Sequence, residues 1–352
     1  MWLTCSSIGR KFVMALTGAC LVLFVTFHVL MNAVALIWPT AYNAVCEFLG
    51  ANWYALIASA GLALLFIIHI IYAVWLTLQN RRARGNDRYA IAGAAPGVEW
   101  SSKNMLVLGI VVVAFLIVHM IQFWSKMQLQ ELMSHNLSAY PTVNGLAADP
   151  AYGTLFLQMA FQNWWTPVIY IIGFIALWFH MNHGFWSMFQ TIGWNNNIWL
   201  ERLKKAACWW TSIVVLLFIA QAIVFTVRAH QNYYTTDEAL LEQYAEGLAK
   251  KAEQPVKQFV NAYNECRQQA MMGNSAAMDE FMQSQGRDFY DQLAPIAAAA
   301  ENLTAAKNDQ FVGTAIQIVE MLRQQLNITE EPAAPAPAPE AEAAPADTNT
   351  QN

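Results

Sequence analysis

Charged side chains are scarce in this chain. Asp, Glu, Lys and Arg together make up 12% of its 352 residues, while hydrophobic residues make up 57%. Because soluble domains are about one-quarter charged, this share predicts that part of the chain lies in lipid. Five segments contain none of these four residue types and approach the roughly 20 residues that a helix needs to cross a bilayer: 12–37, 53–79, 104–125, 164–190 and 207–227. The predicted fold is therefore an all-α integral membrane protein built on a five-helix transmembrane bundle.

Cysteine is also rare, and its spacing disfavours several kinds of site. The five cysteines, Cys5, Cys20, Cys46, Cys208 and Cys266, are scattered and form no CxxC pair. This spacing is not that of a disulfide framework, a zinc site or an iron–sulfur cluster. The chain also lacks a flavin or dinucleotide fingerprint. Chemistry of those kinds would have to come from other subunits.

Charge divides the chain into two parts. Residues 1–230 contain 12 Lys and Arg against 6 Asp and Glu, whereas residues 231–352 contain 7 against 18. We predict a five-span membrane domain over 1–230 and an acidic, helical extramembrane module over 231–329. Apolar residues repeat at helical spacing in that module: Val256, Phe259, Val260 and Tyr263, then Phe311, Ala315, Val319, Leu322 and Leu326. Segment 330–352 is rich in Pro, Ala and acid, which predicts a disordered tail.

Basic residues in the connections predict the orientation. Ten Lys and Arg residues lie in the N-terminal segment and in the second–third and fourth–fifth connections, while the opposite face has only Lys126 and Arg228. Because basic residues are retained on the cytoplasmic side, the N-terminus is predicted to be cytoplasmic. An odd number of spans then places the C-terminal tail outside. We expect a multi-pass protein of a bacterial cytoplasmic membrane, with lipid as its surroundings and no nucleic-acid partner.

Histidines are the ionisable residues found inside the predicted spans. Five of the seven lie there, on four different helices: His28, His69, His119, His180 and His183. Ionisable groups are costly in lipid and usually mark function. His28 and His119 each follow the start of an outward-running span by about sixteen residues, and His69 and His180 do so in inward-running spans. At 1.5 Å per residue the two levels differ by roughly 10 Å. This predicts two histidine pairs, one in each leaflet.

Two facing imidazoles in a helical bundle are typical of a six-coordinate haem iron. We interpret His28 with His119 as the ligands of an outer haem b, and His69 with His180 as those of an inner one. Gly173 and Gly184 lie near the same face of the fourth span as His180 and would leave room for a flat ring. Structural polar residues and a histidine-lined proton or metal-ion transporter remain alternatives. Transporters more often carry carboxylates within their spans, and the predicted spans contain none.

Residues 1–230 resemble the dihaem cytochrome b membrane anchor of succinate dehydrogenase and fumarate reductase, in its five-helix, single-anchor form. The resemblance rests on Thr17-Gly18 ten residues before His28, on lone histidines in the next two spans, and on the HxxxGxW pattern of His180, Gly184 and Trp186. The same pattern implies that His180 is a ligand and that His183 is not. We expect His183 to bond a haem propionate or headgroup water. One departure is Trp178, at a position where some relatives carry a proton-conducting glutamate.

The resemblance implies a role inside a larger enzyme. A flavoprotein subunit and an iron–sulfur subunit would dock on the cytoplasmic face, and electrons would pass between the iron–sulfur subunit, the two haems and a quinone, menaquinone in the form it most resembles. Because quinone chemistry also moves protons, Glu47 in the first outer connection is predicted to accept a proton from quinol. The alternative is that Glu47 is an ordinary exposed acid.

Overall fold

The computed structural model describes residues 6–50, 52–84, 99–133, 137–194, 196 and 198–328. Its first part contains α1 (Ser7–Ile37), α2 (Pro39–Gly50), α3 (Trp53–Arg84), α4 (Trp100–His119), α5 (Gln128–Met133), α6 (Gly153–Phe161), α7 (Trp165–Thr191) and α8 (Trp199–His230). The remaining helices are α9 (Tyr233–Thr236), α10 (Glu238–Met271), α11 (Ala277–Phe281), α12 (Arg287–Glu301), α13 (Thr304–Lys307) and α14 (Gln310–Gln325). The predicted tail 330–352, Cys5, Arg88 and His135 lie outside the described residues.

Five helices in the described part are long and apolar enough to cross a membrane. They are α1, α3, α4 with the π-helical turn Met120–Trp124 that continues it, α7 and α8. Each overlaps one of the five predicted spans almost completely, so the prediction of a mainly helical chain with five candidate spanning helices is confirmed. The described strands are β1 (Thr142–Val143) and β2 (Leu146–Ala147), which pair antiparallel through Asn144 and Gly145, both at positive φ.

Local sequence explains where several helices begin and end. The side chain of Ser6 accepts a hydrogen bond from the Gly9 amide at 2.9 Å and caps the start of α1. Pro39 opens α2, where a missing amide hydrogen costs nothing. Gly193, at φ +93°, follows the end of α7. The last carbonyls of α1 are satisfied from α8, because Arg228 donates to Ala35 at 2.7 Å and to Leu36 at 2.9 Å.

The described chain forms two compact units. The first comprises the chain up to Leu129 together with Pro150–Tyr234, and it contains all five candidate spans. The second comprises the described residues within Gln130–Asp149 and from Thr235 to Ile328. The predicted module began at residue 231 and was C-terminal only, whereas the structure adds the hairpin segment between α4 and α6 to it.

The second unit has an apolar core formed mainly by α10, α12 and α14. Val256, Phe259, Ala315, Val319 and Leu322 are buried as their spacing predicted. Val260 is 38% exposed, because it is rotated about 100° past Phe259 on the helix. Asp237 and Asp309 cap α10 and α14 by accepting backbone hydrogen bonds. Further apolar side chains complete this core: Leu240, Tyr244, Leu248, Phe281, Phe289, Leu293 and Ile296.

An ion pair attaches the Gln130–Asp149 segment to α10. Lys251 Nζ lies 2.5 Å from Asp149 Oδ2, and the Asp149 side chain is only 12% exposed. Nζ also lies 5.0 Å from the centre of the Tyr140 ring. Burial is the largest single influence and lowers the pKa of Lys251, but the Asp149 carboxylate and the Tyr140 hydroxyl together raise it by more, so the net pKa is raised above its usual 10.5. The ammonium is therefore charged throughout the neutral range.

Replacing Lys251 with Met should destabilise the second unit, because Asp149 would lose its ionic partner. The expected loss is about 1–3 kcal/mol, less than for a fully buried pair since Lys251 is partly exposed. Hydrogen exchange of the whole protein should show faster exchange in residues 137–149 and in α10. Since the pKa of Lys251 is raised, the stabilisation is present at neutral pH and is lost as pH rises above 10.5. Lys250→Met removes the same charge at an exposed neighbouring site and should change little. Equal exchange in the two variants would contradict the assignment.

Candidate functional site

The first unit is a bundle in which α7 occupies a central place. Helix α7 packs against α1, α4 and α8, and α1 packs against α3, α7 and α8. Helices α1 and α4 are not extensively packed on each other, and neither are α3 and α7. Each predicted histidine pair is drawn from one of these two separated helix pairs. The imidazole rings of each pair therefore lie between two helices that are not closely packed against each other.

The outer pair is formed by His28 on α1 and His119 at the end of α4. Their ring centres lie 5.8 Å apart and the ring planes are nearly perpendicular, at 86°. Aromatic rings pack against both histidines, since Phe115 lies 6.0 Å from His119 and the buried Phe218 lies 6.1 Å from His28. The π-helical turn begins directly after His119, and such turns are frequent at functional sites.

The inner pair is formed by His69 on α3 and His180 on α7. Their ring centres lie 6.3 Å apart, with the ring planes at 67°. A glycine lies beside each ring. A Cβ added at Gly18 would lie 3.5 Å from Cε1 of His69, and one added at Gly109 would lie 3.6 Å from Cε1 of His180. These glycines keep the neighbouring helix surfaces close to the imidazoles.

Each outer histidine has a side-chain hydrogen-bond partner. His119 Nδ1 lies 3.2 Å from the Tyr170 hydroxyl. Asn32 donates from Nδ2 to His28 Nε2 at 3.2 Å and to the His28 carbonyl at 2.9 Å. The Tyr42 hydroxyl in turn donates to Asn32 Oδ1 at 3.1 Å. No motif in the sequence predicted these partners. Tyr170 reaches His119 through packing between helices, and Asn32 reaches His28 from the next turn of the same helix.

Only one of the two inner histidines has a hydrogen-bond partner at its Nδ1 among the described residues. His69 Nδ1 lies 3.1 Å from the Thr17 hydroxyl. By contrast, the buried Nδ1 of His180 has no hydrogen-bond partner among the described residues. An unpaired buried nitrogen is costly unless it binds something. This orphaned nitrogen is therefore free to bind a group seated beside the inner pair.

The two glycines predicted to leave room for a ring differ in their surroundings. A Cβ at Gly173 would lie only 2.5 Å from Cγ of Phe115, so this glycine allows α4 and α7 to approach. At Gly184 an added Cβ would meet nothing within 4 Å. Open space therefore lies beside Gly184, one turn beyond His180, while the space at Gly173 is filled by Phe115.

His183 and Trp178 have roles other than those of the paired histidines. His183 Nδ1 lies 3.4 Å from the Glu99 carboxylate, which also lies 3.8 Å from Lys204 Nζ. The structure thus provides His183 with a carboxylate partner instead of the expected propionate or headgroup water. Trp178 donates from its indole nitrogen to Ser212 at 3.0 Å and joins α7 to α8.

Glu47 lies on α2, which is a helix and not the short connection that was predicted. The side chain of Glu47 is exposed. One turn earlier on the same helix, Asn43 is buried and accepts from the Thr154 amide at 3.0 Å and from its hydroxyl at 2.8 Å. Burial raises the pKa of the neighbouring Cys46 thiol to about 11. Exposure is compatible with a proton acceptor and equally with an ordinary surface acid.

The four paired histidines fit a haem better than a bare ion. Imidazole nitrogens bind transition metals at about 2 Å, so two ligands on opposite sides of one metal place their ring centres about 6 Å apart. The separations of 5.8 and 6.3 Å meet this requirement. Edge-to-face packing of free rings spans the same distance, so the orphaned His180 nitrogen carries more weight than the distance. The described residues bring no three His, Cys, Asp or Glu side chains together, whereas a haem iron takes two.

Comparison with known proteins gave no relative. No family model, no curated protein and no solved structure matches the chain.

Proposed function

We propose that this chain is the dihaem cytochrome b membrane anchor of a succinate:quinone oxidoreductase, transferring electrons between an iron–sulfur subunit and a membrane quinone. One observation carries the proposal. Two pairs of facing imidazoles lie between helices that are not closely packed, and each pair is drawn from two different candidate spans. A lone buried histidine would be an ordinary core residue. Two such pairs in one bundle are typical of a two-haem electron carrier.

The chain's own residues would supply the binding and the environment. His28 and His119 would hold one haem, and His69 and His180 the other. A bound haem supplies one-electron transfer, which no side chain of this chain provides. Phe115, Phe174 and Phe218 pack around the outer pair and restrict water. A low dielectric with fixed axial ligands and hydrogen bonds sets the reduction potential of such a site.

The partners follow from the same proposal. The chain has no cysteine cluster or nucleotide fingerprint, so succinate chemistry would belong to a flavoprotein subunit and an iron–sulfur subunit. Their docking site would be the basic face that includes Arg10, Lys103 and Arg202. By the distribution of basic residues this face is cytoplasmic and the second unit lies outside. The quinone would be menaquinone and the membrane the bacterial cytoplasmic membrane.

A reduced-minus-oxidised absorption spectrum of the purified protein tests the proposal directly. Two b-type components with different reduction potentials are the expected result, in a ratio of two haems to one chain. Pyridine haemochrome analysis would give the haem content independently. A preparation that is folded but contains no haem would overturn the proposal and favour the histidine-lined proton or metal-ion transporter.

Replacing Glu47 with Gln should stop quinone turnover while both haem signals remain. The amide keeps the size of the side chain but cannot accept the proton released from quinol. Turnover should be measured with the assembled complex, alongside the difference spectrum. Glu242→Gln is the matched control, since Glu242 is another exposed carboxylate and lies in the second unit, which is not part of the proposed docking face. Unchanged turnover in Glu47→Gln would leave Glu47 as an ordinary exposed acid.

A further inference from the structure

A chain of buried hydrogen bonds leads from a backbone carbonyl to the outer histidine pair. The Thr166 hydroxyl donates to the Ala160 carbonyl at 2.7 Å. Gln122 donates from Nε2 to Thr166 Oγ1 at 3.1 Å. The Tyr170 hydroxyl donates to Gln122 Oε1 at 2.8 Å and lies 3.2 Å from His119 Nδ1. Thr166 is fully buried, Tyr170 is 4% exposed and Gln122 is 9% exposed.

The direction of every bond in this chain is fixed by its first member. A carbonyl only accepts, so the Thr166 proton is used on Ala160 and its oxygen must accept from Gln122. The amide oxygen of Gln122 then faces Tyr170, which donates to it. Because a hydroxyl has one proton, Tyr170 can only accept from His119. Neutral His119 therefore carries its proton on Nδ1 and has a bare lone pair on Nε2.

A shorter chain fixes the tautomer of one inner histidine in the same way. The Thr17 hydroxyl lies 2.9 Å from the Val13 carbonyl and 3.1 Å from that of Met14, so its proton is used within its own helix. Its oxygen can therefore only accept from His69 Nδ1, at 3.1 Å. His69 then also presents a bare Nε2. The Thr17-Gly18 dipeptide thus places a hydroxyl and a position without a side chain next to this imidazole.

The other member of each pair is not held by an accepting hydroxyl. His180 Nδ1 has no partner among the described residues, and His28 Nε2 receives the Asn32 amide. Each pair therefore contains one imidazole whose tautomer is set by a hydroxyl that can only accept. A ligand whose other nitrogen donates in this way is held in orientation and is more basic.

We propose that Tyr170 and Thr17 are positioning residues, one for each haem: they hold His119 and His69 as Nδ1–H tautomers with Nε2 directed to the iron. This inference rests on the proposed function. A more basic imidazole stabilises ferric over ferrous iron, so the hydroxyl lowers the reduction potential of its own haem. Each hydroxyl acts through one histidine and touches neither the iron nor a substrate.

Tyr170→Phe and Thr17→Val test the proposal, because each removes one hydroxyl and keeps the shape of the side chain. In the purified protein, each variant should weaken haem affinity at its own site by about 10- to 100-fold, as other changes to partners of metal-bound histidines do. The midpoint potential of that haem should rise. Tyr170→Phe should affect only the component that is lost in His119→Ala, and Thr17→Val only the one lost in His69→Ala. Thr17→Ser keeps the hydroxyl and should keep both wild-type potentials.

Two controls separate positioning from general loosening of the protein. Thr211→Val removes a buried hydroxyl that also donates to its own helix, to Ala207 at 2.7 Å. Tyr290→Phe removes a buried tyrosine hydroxyl in the second unit. Neither should move a potential. The positioning role would be overturned if both haems are present and neither Tyr170→Phe nor Thr17→Val changes a midpoint potential. It would also be overturned if each variant shifts the potentials of both haems. Absence of haem from the wild type would overturn the proposed function itself.

Discussion

Replacing His69 with Ala should remove one of two b-type haems, and replacing His180 should remove the same one. His28→Ala and His119→Ala should each remove the other. The reason is that a six-coordinate iron needs both imidazoles, and the structure brings these residues together in these pairs. A haem left with one ligand would be high-spin or lost during purification. The measurement is haem content per chain, with low-temperature difference spectra to identify the remaining component.

Double variants test the pairing of the histidines more stringently than single variants do. His69→Ala with His180→Ala should resemble either single variant, because both remove one shared site. His69→Ala with His119→Ala should remove both components. A site shared in any other combination, for example between His28 and His69, would give a different pattern of losses and contradict the assignment.

Two other histidines serve as controls within the same experiment. His183 is bonded to Glu99 and should keep both haems when replaced by Ala. His230 lies at the end of α8, where its Nδ1 is 2.9 Å from the Thr226 carbonyl, and its replacement should also be harmless. Loss of a haem in His183→Ala would show that the inner ligand had been assigned to the wrong histidine of the fourth span.

The five spans could be predicted from sequence because lipid imposes one simple requirement, a long run without charge. The predicted span 53–79 lies inside α3 and the predicted span 164–190 overlaps α7 almost entirely. Helix α2 was missed, since a twelve-residue helix between two spans has no such signature. The attachment of Gln130–Asp149 to the C-terminal region was also missed. It depends on tertiary contacts such as Lys251 with Asp149, which residue spacing cannot reveal.

The same division applies to the candidate site. Depth along each span was enough to predict which histidines would lie together, because rise per residue is nearly constant in a helix. Rotation about the helix axis was not available from the sequence. Tyr170 and Gln122 as partners of His119, and Gly109 beside His180, depend on that rotation and on helix packing. The purpose of Gly173 was misjudged for this reason, since its neighbour is Phe115.

Replacing Gly173 with Ala should destabilise the bundle and disturb the outer pair. The added Cβ would lie 2.5 Å from Cγ, 2.7 Å from Cδ2 and 2.8 Å from Cβ of Phe115. The Phe115 Cβ is fixed to the backbone of α4 and cannot rotate away, so α4 and α7 would have to separate. Overpacking of this kind costs about 1–3 kcal/mol, which exceeds the roughly 1 kcal/mol that alanine gains over glycine in a helix. Thermal unfolding of the purified protein measures the loss.

The outer haem should suffer more than the inner one in Gly173→Ala, because Phe115 packs against both His119 and Tyr170. Gly61→Ala on α3 is the matched control, since its added Cβ meets nothing within 4 Å and should be neutral or slightly stabilising. Phe115→Ala removes two of the three clashing atoms. In the double variant, Gly173→Ala should therefore cost less than it does alone, giving a favourable coupling in a double-mutant cycle. Additive losses, with the outer haem unaffected, would mean that close approach of α4 and α7 does not maintain the site.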